Sequence, residues 1–74
     1  MQYVVLHLDP GRLDRLRDLF PGLETPTVIP LDGRDDLVAA HIVVERAALW
    51  EHLGELRALG ATGIVAVAAE ALVV

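Results

Sequence analysis

Short apolar segments bounded by turn residues run through this chain and predict four β-strands. Residues 2–8 are apolar and rich in β-branched side chains, which favours a strand. Residues 27–31 predict a second extended segment, bent by Pro30. A charged turn follows, and residues 37–44 and 64–69 predict the third and fourth strands.

A first helix is predicted between the first two strands. Asp9 suits its N-cap, and Pro10 suits the first helical position, where a missing N–H has no cost. Pro21 and Gly22 end it. The apolar side chains that share one face at helical spacing are Leu13, Leu16 and Phe20.

A second helix is predicted after the third strand, with Leu49, Leu53 and Leu56 on one face. Trp50 is expected beside them, and Gly60 is expected to end the helix in the left-handed conformation. The element order is then β-α-β-β-α-β. With right-handed crossovers, this order predicts an α+β fold of the ferredoxin-like class. Residues 1–74 would form a single domain, with a four-stranded antiparallel sheet and both helices on one of its faces.

The strands also indicate a partner. In a two-layer sandwich the sheet face away from the helices meets water, so its strands should alternate apolar and polar residues. Residues 4–6, 42–44 and 64–67 are instead apolar at consecutive positions. An exposed apolar face of this size favours association with further copies of the chain, and a closed ring would also satisfy the sheet edges. The alternative is a monomer in which small alanines limit the exposed area.

Composition excludes several functional classes. The net charge of −5 disfavours nucleic acid and anionic membrane surfaces, which need a basic footprint. No apolar run approaches the roughly 20 residues of a membrane span, and no signal-like segment opens the chain. Cysteine is absent, which excludes disulfides and thiolate metal sites. A cytoplasmic location is the expectation.

Catalysis and metal binding are not expected, and neither is a cofactor. The chain has no serine or cysteine nucleophile, although Glu24 or His41 could act as an acid or base. His7 and His41 could approach each other on neighbouring strands, but two imidazoles without a third ligand seldom hold a metal. His52 is expected on the helix surface in water. The acidic turn at residues 32–36 lacks the pattern of a calcium loop.

Residues 21–31 are the most informative segment: Pro-Gly-Leu-Glu-Thr-Pro-Thr-Val-Ile-Pro-Leu. The run resembles the Pro-Gly-(Leu/Met)-x-(Ser/Ala)-Pro-Thr-(Val/Ile)-x-Pro-Leu motif in the C-terminal regulatory domain of long-form ATP phosphoribosyltransferases. Residues 37–39 and 58–64 are similar to two further segments of that domain, in the same order and spacing. The resemblance extends over nearly the whole chain.

The resemblance implies a ferredoxin-like domain that packs as homotrimers and binds histidine between neighbouring copies. Binding there inhibits a separate catalytic domain, and nothing in this chain resembles that part, so a separate catalytic subunit is an implied partner. A zwitterionic amino acid needs donors for its carboxylate and acceptors for its ammonium group. Transferred position by position, the implied ligand-binding residues are His7, Leu23, Thr25, Thr27, Val43 and Gly63.

Three positions depart from the family pattern. His7 replaces the usual Asn or Asp, residues 68–69 replace Pro-Ile, and Glu45 replaces a proline. These changes put histidine recognition in question more than the fold. A trimeric scaffold or interaction domain that has lost its ligand is therefore the alternative function. For Thr25 and Thr27 the alternative is a rigid loop whose hydroxyls satisfy nearby backbone groups.

Two other sensor families are weaker alternatives. Residues 9–13 resemble the Asp-x-Pro-Gly-x-Leu turn of ACT domains but are one residue short, and an N-cap followed by proline explains them equally. PII-like signalling proteins share a trimeric ferredoxin-like architecture. They depend on a long loop between the second and third strands, and the turn at residues 32–36 is too short for that role.

Overall fold

The structure is a computed structural model that describes residues 1–23 and 26–70. Its elements follow the predicted order β-α-β-β-α-β. The strands are β1 (Gln2–Leu8), β2 (Thr27–Pro30), β3 (Val38–Val44) and β4 (Thr62–Ala68). The helices are α1 (Leu13–Leu19) and α2 (Arg46–Ala58), and a 3-10 turn (Pro10–Arg12) precedes α1.

The four strands form one sheet in the order β2-β3-β1-β4, with every neighbouring pair antiparallel. The central strands are therefore β1 and β3, and both crossovers skip over a strand. This arrangement confirms the predicted α+β, ferredoxin-like fold.

The main core lies between the sheet and the two helices. Even-numbered residues of β1 and β3 face the helices, and the odd-numbered ones face the other side. The largest fully buried side chains are Leu6, Leu8, Leu16, Leu56 and Val4. Along each of these strands, consecutive apolar residues therefore point alternately to the helix side and to the opposite side of the sheet. Only those on the helix side contribute to this core.

Several predicted boundaries are shifted. The Asp9 carboxylate accepts a hydrogen bond from the Gly11 N–H at 2.8 Å, so it caps the 3-10 turn, and the α-helix begins only at Leu13. Strand β2 ends at Pro30, which has no N–H to continue the ladder. Strand β3 begins one residue later than predicted, at Val38. Strand β4 runs from Thr62 to Ala68 rather than over residues 64–69.

Helix α2 ends as predicted, and its tryptophan lies beside Leu49 and Leu53 as predicted, lining one groove with them. Gly60 adopts φ 90°, and the Ala61 N–H donates to the Leu56 carbonyl at 3.1 Å across this left-handed turn. Trp50 is 65% exposed. It follows the buried Leu49 directly, so it is rotated by about 100° away from the core. Among the described residues, no helix combines the length and apolar character needed to cross a membrane.

The turn between β2 and β3 is held by one ion pair. Arg34 donates from Nε and Nη2 to the two carboxylate oxygens of Asp36, each at 2.8 Å. The hydrogen bonds from Arg34 lower the pKa of Asp36 to about 2. The ion pair involves only one of the three aspartates in the turn.

Candidate functional site

The sheet surface that faces away from the helices, here called the open face, contains most of the predicted site residues. It consists of residues 3, 5 and 7 of β1, residues 39, 41 and 43 of β3, and the residues beside them on the two edge strands. Directly opposite residues of antiparallel strands point to the same face. Thr27 is opposite His41, and Val65 is opposite Val5, so both belong to this surface.

The open face is strongly apolar, as the strand patterns predicted. Tyr3 is 38% exposed, Ile29 45%, Val65 57% and Val67 53%. These side chains form a patch across the sheet, because Tyr3 is opposite Val67 and Val5 is opposite Val65. Apolar patches of this kind on soluble proteins mark interaction surfaces.

His7 and Gly63 contact each other on the open face. A Cβ atom built on Gly63 would lie 3.3 Å from Nδ1 of the His7 ring, so the imidazole covers the glycine backbone. Gly63 has φ +58°, a left-handed conformation that disfavours other residues. The pairing of β1 with β4 is irregular between Val5 and His7, next to this glycine. The glycine therefore permits both the irregularity and the close approach of the ring.

Two glycine-to-alanine substitutions are expected to have opposite effects. Gly63→Ala should lower the free energy of unfolding by about 1–2 kcal/mol, because alanine resists the left-handed conformation, and its Cβ would also press on His7. Gly54→Ala should raise it by about 0.5–1 kcal/mol, because this glycine lies within α2 and a Cβ there meets nothing within 4 Å. Urea unfolding of both variants measures the difference. Equal effects would contradict the conformational argument.

A second polar pair on the open face was not predicted. The Tyr3 hydroxyl and Nδ1 of His41 form a hydrogen bond of 2.5 Å, and the two rings meet edge to face with centroids 5.7 Å apart. The bond uses Nδ1, so Nε2 can serve a ligand or partner. The sequence signal that could have drawn attention to Tyr3 is the strand period of two, which places Tyr3 on the same face as the predicted site residue His7. His41 is also directly opposite Thr27.

Thr27 and His7 do not meet within one chain. Thr27 is on the edge strand β2, whereas His7 is on β1, and β3 lies between these strands. Two strand spacings amount to roughly 10 Å. One copy of the chain therefore presents Thr27 beside His41, and His7 beside Gly63, as two separate groups on the same face.

Leu23 and Val43 line a different feature, a cavity of about 370 Å³ at the end of β3. Leu23 packs against the core rather than on the open face. The cavity is also lined by Glu45 and His52. Of the six predicted residues, Val43 is the one that connects this cavity to the open face.

The expectation that His52 is a solvated surface residue was wrong. Its side chain is only 24% exposed, and its Nδ1 lies 2.9 Å from a carboxylate oxygen of Glu55. Its ring also meets the edge of Phe20, with centroids 5.6 Å apart. The position one turn before Glu55 and beside the end of α1 accounts for this burial.

The structure describes only some of the remaining predicted groups. Thr25 and Glu24 lie outside the described residues. His7 and His41 lie on neighbouring strands as predicted, two residues apart in the register, while His7 contacts Gly63 and His41 contacts Tyr3. Within residues 1–23 and 26–70, no group of three His, Asp or Glu side chains is placed to hold a metal ion.

Comparison with known protein families gives a match over almost the entire chain. The family described as HisG, C-terminal domain, matches residues 1–71. HisG is ATP phosphoribosyltransferase, and the matched domain is not its catalytic part. The match agrees with the motif at residues 21–31 and with the fold. The chain therefore belongs to the HisG C-terminal domain family and is a C-terminal module of the ATP phosphoribosyltransferase type.

Proposed function

We propose that this chain is a non-catalytic sensor of a free amino acid, with histidine as the ligand, and that it works as a homotrimer. Its output would be the control of an ATP phosphoribosyltransferase catalytic part. Membership of the family supports this proposal, since the module is distinct from the part that carries out the reaction. The ligand and the number of copies are the parts of the proposal that need direct measurement.

One observation carries the proposal: four residues at the implied ligand positions share the open face. These are His7, Thr27, Val43 and Gly63. Thr27 offers a hydroxyl that can donate to a carboxylate or accept from an ammonium group. The imidazole of His7 can accept or donate according to its tautomer. Apolar strands around these groups would keep water away once a second copy covers them.

Hydrogen-bond donors and acceptors lie at two separate places on the open face. Thr27 lies beside His41, whose Nδ1 is held by Tyr3. His7 lies beside the exposed backbone of Gly63. A zwitterion with a charged group at each end suits two separated polar groups better than one compact cluster. Because these groups are about two strands apart within one copy, a site between copies is the simplest way to join them.

A ligand-free scaffold is the second candidate, and the contact between His7 and Gly63 favours it. The His7 ring occupies the space directly over the glycine. The family resemblance implies a smaller Asn or Asp at this position, and the larger ring would fill part of the volume available to a ligand. In this candidate the assembly remains and the sensing role is lost.

Thermal unfolding against each of the twenty amino acids at millimolar concentration separates the two functions. A ligand present at about 100 times its Kd should add about 2.7 kcal/mol of stability. We expect histidine to raise the melting temperature. Histamine lacks the carboxylate and is the matched control, which should give no comparable rise. If no amino acid raises the melting temperature, the sensor proposal is wrong and the scaffold function is favoured.

Thr27→Val tests the site itself. The substitution keeps the shape and the strand preference of the side chain but removes the hydroxyl. Because Thr27 is exposed, we expect the melting temperature without ligand to stay close to that of the parent chain. The shift caused by histidine should be lost. If histidine raises the melting temperature of this variant as much as that of the parent chain, Thr27 is not part of the ligand site.

A further inference from the structure

The helix side of strand β4 is covered less completely than that of its neighbour β1. Ala66 is opposite Val4, so both side chains point towards the helices. Val4 is fully buried, whereas Ala66 is exposed. The described helices therefore cover β1 on this side and leave the outer strand open.

An apolar groove occupies the uncovered space between α2 and β4. It encloses about 540 Å³. Helix α2 contributes Trp50, Leu53 and Arg57, which are spaced i, i+3 and i+7 and so lie on one side of the helix. Strand β4 contributes small residues, among them Gly63 and Ala66, which leave room above the strand. None of the described residues fills this volume.

Trp50 is the side chain that gains most from an occupant of the groove. It is 65% exposed, and it is the only tryptophan of the chain. Aromatic side chains contribute most to packing when their large surface is buried. An exposed indole at the rim of an apolar groove marks a surface on which a further apolar segment can pack.

The course of the chain brings its last described residues to the tryptophan end of the groove. Helix α2 leads into β4 through residues 59–61, so the start of α2 lies beside the end of β4. Trp50 is about 6 Å from the start of the helix, and Ala66 is about 7 Å from the end of the strand. The chain then bends at Glu70. Whatever follows Glu70 therefore begins close to Trp50.

The sequence that follows has the composition of a segment that packs on apolar surface. Residues 71–74 are Ala-Leu-Val-Val, without a polar or charged side chain. Four extended residues span at most about 14 Å, which is twice the distance from the end of β4 back to Ala66. The family match ends at residue 71, so it does not account for residues 72–74. Burial of these aliphatic side chains in the groove is favoured by the hydrophobic effect.

We infer that residues 71–74 turn back over the groove between α2 and β4 of their own chain, with Leu72 packed against Trp50 and above Ala66. The contact lies on the helix side of the sheet, so it does not depend on the proposed function of the open face. It extends the apolar core to the outer strand. It also closes the groove to any other partner.

The fluorescence of Trp50 tests this contact, because no other tryptophan contributes to the signal. In the parent chain we expect the emission of a shielded indole and weak quenching by acrylamide. Leu72→Asp should shift the emission to longer wavelength and strengthen the quenching, since a carboxylate does not pack on the ring. Leu72→Met is the matched control. It keeps an apolar side chain of similar volume and should resemble the parent.

Two results of this comparison would overturn the inference. One is a solvent-exposed emission of Trp50 already in the parent chain. The other is a Leu72→Asp variant whose emission and quenching equal those of the parent. A second copy covering Trp50 is separated by dilution, because contact within one chain does not depend on protein concentration. Shielding that is lost on dilution would assign the groove to another copy and would also overturn the inference.

A measurement on the parent chain needs no substitution and covers the case in which Leu72→Asp does not fold. Nuclear Overhauser effects report protons that lie close together, and the single indole makes its ring protons simple to assign. We expect such effects between the Trp50 ring and the methyl groups of Leu72. If the ring shows none to residues 71–74 in the folded parent chain, the segment does not occupy the groove.

Discussion

Leu56→Ala is expected to lower the free energy of unfolding by about 2–5 kcal/mol. Leu56 is fully buried and lies in the core with Leu16 and Leu6. A domain of this length has a total stability of only about 4–11 kcal/mol. The single substitution therefore removes a large share of the stability. Urea unfolding at one fixed protein concentration measures the loss, because association also contributes to apparent stability.

Leu53→Ala is the matched control for this prediction. Leu53 is on the same helix but is only partly buried at the margin of the core. Its truncation should cost clearly less than that of Leu56, because the space can be refilled by solvent. Similar losses for the two variants would mean that the core is not centred between α1, α2 and the sheet.

Val65→Glu is expected to prevent the proposed assembly and to leave monomers. Val65 is 57% exposed in the isolated copy and lies in the middle of the apolar open face, opposite Val5. Covering this face would bury an unpaired carboxylate in every copy, which costs several kcal/mol each. The free monomer should tolerate the change, since the side chain meets water there. Sedimentation velocity measures the loss of the oligomer.

Ala47→Glu adds the same charge on an exposed position of α2 and controls for net charge. The oligomer should remain in this variant. If Val65→Glu still assembles, the open face is not the associating surface. If the parent chain is a monomer at all concentrations, the apolar face has some other partner.

The order of the elements could be predicted because each one has a strong local signal. The helices show apolar residues at helical spacing, and Gly60 marks a helix end that the structure confirms at φ 90°. The strand faces were harder to assign. Residues 4–6 and 42–44 are apolar throughout, so their sequence does not say which side meets the helices. The burial pattern of the folded strands shows it: the even-numbered residues of β1 and β3 lie in the core under the helices.

The wrong predictions about Asp9 and His52 also have physical causes that lie outside the local sequence pattern. Asp9 caps a 3-10 turn rather than the α-helix, because Arg12 departs from helical geometry (φ −108°, ψ 7°) and delays the start of α1 to Leu13. His52 is half-buried because Phe20, distant in sequence, packs on its ring. In each case the outcome depends on a contact or geometry that residue type alone does not specify.

The candidate site was predictable only in part. The motif at residues 21–31 pointed to Thr27, which lies on the open face with His7. The hydrogen bond between Tyr3 and His41 depends on pairing between strands far apart in sequence. In the proposed function the separated polar groups come together through contacts between copies, which no single-chain pattern encodes directly.

Calorimetric titration of histidine into the parent chain and into Val65→Glu tests the central claim most directly. That claim is that histidine binds to a site completed by two copies of the chain. The account predicts a saturable heat close to one histidine per chain for the parent protein, and none for the monomeric variant. Dilution heat alone for the parent protein, or full binding by the monomeric variant, would contradict it.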